Sequence, residues 1–87
     1  MDDIEQIIKY YIKQEFMLDK QEMPLDNKFP LIQEGIIDSL GIFTLIAFLD
    51  ERFGTKIQPE DVILENFETI DAIHNLISAK RSLQALS

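Results

Sequence analysis

The chain has 87 residues, 46% of them apolar, and its sixteen acids against eight bases leave a formal charge of −8. A single small domain of this size has little room for a deep enzymatic cleft, and its charge argues against nucleic acid and for partners with basic patches. With no cysteine and one histidine, it has no disulfide, no thiolate nucleophile, no cysteine-held zinc and no multi-histidine metal site.

Ile4, Ile7, Ile8, Tyr11 and Ile12 recur at three- and four-residue steps. This spacing predicts an amphipathic helix over residues 3–17, with Asp2 or Asp3 capping its start. Tyr10 and Tyr11 lie on adjacent angles, so both do not point inward. Lys9, Lys13 and Lys20 among nearby acids read as a solvated face. Residues 19–37 break the rhythm: Pro24 and Pro30 disfavour a helix and Asp26-Asn27 reads as a turn. Yet Met23, Leu25, Phe29, Leu31, Ile32, Ile36 and Ile37 are apolar, which predicts a long loop lying across the core. Met17 and Met23 read as packing or loop residues, and Gly35 as a position with a backbone conformation that other residues resist.

Asp38 is an N-cap candidate for a second helix from about Ser39 to Phe53, closed by Gly54. Ile42, Leu45, Ile46, Leu49 and Phe53 form its core stripe. Leu40, Phe43 and Ala47 form a second stripe beside it, which a small bundle does not need. Ile57-Gln58-Pro59 reads as an extended link, followed by a brief third helix over about residues 60–65. Phe67 anchors the next link. Thr69 caps a last helix carrying Ile70, Ile73, Leu76 and Ile77, with fraying expected from about Ser82. His74 reads as a surface or boundary residue. No strand signal is convincing. The prediction is an all-α, four-helix bundle with three main helices, one short helix and a long first loop, forming one domain over residues 1–87 with a core of about 3–80.

The start Met-Asp-Asp-Ile-Glu is the opposite of a basic leader, and the apolar stretch Ile42 to Leu49 is too short to span a bilayer. A cytoplasmic protein without membrane insertion is expected, with a monomer as the default.

The segment Gly35-Ile36-Ile37-Asp38-Ser39-Leu40 places a hydroxyl in the first turn of a helix, where free amides and the helix dipole favour an attached anion. A serine phosphodiester fits there electrostatically. Asp38 is placed to hold a divalent ion or to orient the hydroxyl in a partner enzyme. The bland reading of an Asp-Ser pair is a cap alone. As a nucleophile of its own, Ser39 has only His74 as a possible base and no oxyanion pattern around it. No residue is assigned a catalytic or metal-binding role.

With Asp38-Ser39-Leu40 in this place, the chain resembles the acyl carrier protein family, whose modification motif is Asp-Ser-Leu. The resemblance includes the approach from Phe29 to Asp38, Leu45, the helix end Asp50-Glu51-Arg52-Phe53-Gly54, Ile57 with Pro59, and Thr69-Ile70-Asp71-Ala72-Ile73. It implies a free-standing carrier of that fold whose Ser39 bears a 4′-phosphopantetheine arm, set in place by a phosphopantetheinyl transferase from coenzyme A with magnesium. The arm's thiol would hold an acyl or aminoacyl group as a thioester, and the carrier would catalyse nothing. Loading enzymes and condensing or transfer enzymes are the further partners implied, docking on Leu40, Phe43, Ala47, Asp50 and Glu51. Many fatty-acid carriers place acids where this chain has Gly41 and Thr44. That departure favours a carrier dedicated to a specialised pathway, or an aminoacyl or peptidyl carrier of nonribosomal-peptide type, over the general fatty-acid carrier. The rival classes are an unmodified helical adaptor and a small enzyme using Ser39 directly.

Overall fold

The structure, a computed structural model, describes residues 3–19 and 24–86, with backbone alone for 83–86. Met1, Asp2, Lys20 and Met23 therefore lie outside the described residues. Four α-helices and a 3-10 turn follow one another: α1 (Ile4–Phe16), α2 (Ser39–Phe53), the 3-10 turn Pro59–Asp61, α3 (Leu64–Phe67) and α4 (Ile70–Leu86). No strand occurs among the described residues. The expected all-α bundle of three main helices, one short helix and a long first loop is what the chain forms.

Each main helix begins where the sequence offers an oxygen to its orphan amides. Asp3 accepts from the Gln6 amide at the head of α1, and Asp38 from the Gly41 amide at 2.7 Å at the head of α2. Thr69 Oγ1 accepts from the Ala72 amide at the head of α4. Gly54 ends α2 at φ 68°, and Gly35 sits at φ 76° in the loop before it, both in the left-handed region where a Cβ is penalised.

The core is a single cluster drawn from every part of the fold. Ile8, Ile12 and Met17 come from α1 and its end, Leu45, Leu49 and Phe53 from α2, Phe67 from α3, and Ile70, Ile73, Leu76 and Ile77 from α4. The α1–α2 loop adds Leu25, Leu31 and Ile37, all buried. It therefore behaves as a core layer without regular structure. Two backbone bonds fasten it to the far end of the chain: the Leu31 amide donates to the Glu68 carbonyl at 2.8 Å, and the Asp71 amide to the Asn27 carbonyl at 3.1 Å. Phe16 lies beside Gly41 and Tyr11 beside Phe48, so α1 and α2 run antiparallel.

Several expectations need correction. The third helix predicted over residues 60–65 is two pieces, the 3-10 turn and α3, separated by Val62 and by Ile63 in extended conformation. The Asp61 carboxylate accepts the Gln58 amide at 2.9 Å and closes the first piece on itself. Phe67, expected in a link, is the last residue of α3 and wholly buried. Ile42 and Ile46 are half-buried, because the centre of the buried face falls on Gly41, Leu45 and Leu49. The last helix runs on through Ser82 to Leu86 in helical backbone, which leaves the expected fraying untested.

Candidate functional site

Ser39 is exposed and opens α2, a helix of 15 residues. Asp38 stands before it in extended backbone conformation, and its carboxylate holds the Gly41 amide. The amides of Ser39 and Leu40 have no protein acceptor among the described residues. Hydroxyl, open amides and the positive end of the helix dipole thus meet at one exposed point, which suits an attached phosphate. Asp38 is also exposed, and its capping oxygen is Oδ1.

From Ser39 the outer face of α2 continues with Leu40, 78% exposed, Phe43, 63% exposed, and exposed Thr44 and Ala47. The second stripe read in the sequence is therefore a surface, and the described part of the long loop does not cover Phe43. Of the acids expected to dock a partner, Glu51 is exposed and has no partner among the described residues. Asp50 is half-buried, and its Oδ1 accepts the Thr55 hydroxyl at 2.7 Å and the Ile57 amide at 3.1 Å. Asp50 therefore ties the end of α2 to the following link. Residues 39–49 contain no charge at all.

His74 lies half-buried on α4. Nothing in the fold recommends it as a base for Ser39. Two apolar side chains beyond the predicted stripe, Ile63 and Leu64, are also about half exposed, at the start of α3.

Sequence reasoning missed the contribution of α1 to this end of the molecule. A Cβ at Gly41 would stand 2.9 Å from Phe16 Cε1, 3.2 Å from Asp38 Oδ1 and 3.3 Å from Ile37 Cγ2. Gly41 is thus enclosed on three sides, two residues after Ser39 on the buried side of the same turn. Phe16 meets Tyr11 edge-on at 6.1 Å, and Tyr11 lies flat on Phe48 at 3.8 Å and 9°. The Tyr11 hydroxyl reaches the Thr44 carbonyl at 3.5 Å. Burial, and then the Glu15 carboxylate, push the Tyr11 phenol above its ordinary range. The aromatic residues at 11, 16 and 48 were visible signals, but their convergence depends on the antiparallel pairing of α1 and α2.

No family model matches the chain. Over 60 residues, 69% of either protein, it is 32% identical to the probable acyl carrier protein PigG of Serratia sp. (strain ATCC 39006).

Proposed function

The chain belongs to the acyl carrier protein family, and from that premise we propose that Ser39 carries a 4′-phosphopantetheine arm. The residues present fit such a group, because Ser39 is an exposed hydroxyl at the positive end of a long helix with unclaimed amides beside it. That observation carries the reading. When bound, the arm supplies a thiol that the cysteine-free chain lacks, and with it a place for an acyl or aminoacyl thioester. In the loading reaction the Ser39 oxygen forms the new bond to phosphorus. The phosphoanhydride bond to the adenosine 3′,5′-bisphosphate half of coenzyme A breaks, and the serine proton leaves to the transferase.

The chain's own contribution is presentation. Asp38 fixes the first turn of α2, so that Ser39 faces solvent at a defined place. Tethering of the cargo raises its local concentration at each partner the carrier visits. Leu40, Phe43 and Ala47 form the docking stripe next to the arm, with Glu51 as the carboxylate left for a basic group and Asp50 holding the helix end behind it. The partners are a phosphopantetheinyl transferase, a loading enzyme for an acyl or aminoacyl group, and condensing or transfer enzymes. The uncharged run from Ser39 to Leu49 favours dedicated partners in a specialised pathway, with nonribosomal-peptide-type aminoacyl cargo as the alternative. The carrier itself catalyses no step.

The test is intact mass after incubation with coenzyme A, magnesium and a transferase of broad specificity. The wild type is expected to gain one phosphopantetheine and one thiol that reacts with a thiol reagent. Ser39→Ala is expected to gain neither and to keep its helical circular dichroism. Arm attachment to another serine in the variant overturns the assignment of Ser39. A wild type that gains nothing overturns the reading and leaves the unmodified adaptor.

A further inference from the structure

We propose that Phe16, at the end of α1, is a positioning residue for Ser39 that acts through Gly41 and the Asp38 cap. The proposal rests on the reading of Ser39 as the attachment site. The first turn of a helix is the part least held by its own hydrogen bonds. In α2 that turn has two local fasteners, the Asp38 carboxylate on the Gly41 amide at 2.7 Å and the Asp38 carbonyl on the Ile42 amide at 3.0 Å. Both would persist if the turn rocked as a unit. What opposes rocking is packing from two sides: buried Ile37, its amide on the Leu31 carbonyl at 3.2 Å, holds the loop side, and Phe16 of α1 holds the other.

The Phe16 ring approaches Gly41 so closely that a methyl group there would stand 2.9 Å from Cε1, inside any ordinary contact. Ile37 and the Asp38 carboxylate bound the same space at 3.3 and 3.2 Å. Phe16 is in turn set edge-on to Tyr11, and Tyr11 stacks flat on Phe48, well along α2. Three rings thus brace α2 at Gly41 and again at Phe48, and the direction in which Ser39 faces is fixed from the neighbouring helix. Glycine at 41 is what lets the ring come so near. Alanine is the better helix former, so a loose contact would make Gly41→Ala stabilising, and a tight one would displace the turn.

The experiment uses the full chain as wild type, Gly41→Ala, Phe16→Leu and the double variant, with the transferase, coenzyme A and magnesium. Attachment is followed by intact mass as a function of carrier concentration, at equal folded protein. Gly41→Ala is expected to lower kcat about 10-fold or more, with KM within about twofold, since a small misplacement of a reacting atom costs that much or more. Phe16→Leu opens the space, so the double variant is expected to recover most of the lost kcat. Amide exchange of Gly41 gives a second readout that needs no arm: protection falls in Gly41→Ala and returns in the double variant.

A Gly41→Ala protein that is loaded at the wild-type rate overturns the proposal, as does a double variant loaded no faster than Gly41→Ala. If the wild type takes no arm, the reading of Ser39 falls separately. Positioning of the Asp38–Ser39 turn is then decided by amide exchange, where unchanged protection across the four proteins overturns it.

Discussion

On the inner face of α2, Leu45, Leu49 and Phe53 are buried, whereas on the outer face Leu40 and Phe43 stand mostly in water. Both faces are built from the same kinds of residue within one helix. The difference is what lies opposite: the inner face meets α4 and the shared core, and the side chains of Leu40 and Phe43 on the outer face stand mostly clear of them. Apolar spacing alone therefore tells that a helix has two greasy stripes, not which of them the fold will use. The spare stripe begins at the exposed serine, which makes its exposure informative. A run of large apolar side chains left in solvent beside the proposed attachment site is what a partner-contact surface would present.

The comparison breaks if the faces respond alike to truncation. Leu49→Ala removes a wholly buried side chain and should cost about 2–5 kcal/mol in urea unfolding. Phe43→Ala should change stability by no more than about 0.5 kcal/mol, as for other surface positions. It should instead weaken transfer from a cognate loading or condensing enzyme by about 2 kcal/mol, the scale of an interface hot spot, read as transfer rate against carrier concentration. A large loss of stability with unchanged transfer would return Phe43 to the core. At the point where the two faces share a beginning, Asp38→Ala should cost about 1 kcal/mol through the lost cap, measured by thermal or urea unfolding.

The smallest effect sharpens the contrast from outside α2. Asp61 pairs with Lys80 and accepts the Gln58 amide, and the Lys80 bond first and the amide second hold its carboxyl below the ordinary 3.8. A depressed folded-state value means that this carboxylate stabilises the fold above about pH 4 and loses that contribution as pH falls through the lower folded value. Asp61→Asn should therefore flatten the acid limb of stability slightly while leaving arm attachment at pH 7 unchanged. An effect on attachment as large as that of Phe43→Ala on transfer would show that the 3-10 turn belongs to the docking surface.

Much of this could be read before any coordinates, because it is local. The caps at Asp3, Asp38 and Thr69, the stop at Gly54 and the spacing of the α1 and α4 stripes all follow from side chains acting on their own helix. Ser39 followed from its place after Asp38 in the first turn of a helix, and the Leu40–Phe43 stripe from the surplus of apolar residues on α2. What stayed hidden depended on neighbours distant in sequence. Phe48 falls between the two stripes and has no role until Tyr11 is laid against it. Gly41 reads as a weak helix residue until Phe16 occupies the place of its side chain. The split near Val62 was missed because Pro59, Glu60 and Asp61 suit the first turn of either a 3-10 or an α-helix. The Asp61–Gln58 closure and the extended Ile63 decide for the shorter form.

The pair of backbone bonds that joins Leu31 to Glu68 and Asn27 to Asp71 bears on the order in which the protein matures. These contacts link a segment made early in synthesis to one made late, and long-range pairings of this kind close slowly. While α4 is still within the ribosome, the stretch leading into Ser39 lacks the partners that bury Leu31. A truncated chain ending before Ile77 should therefore be a poor substrate for any enzyme that reads the shape around the serine, even though it carries the whole Asp-Ser-Leu motif.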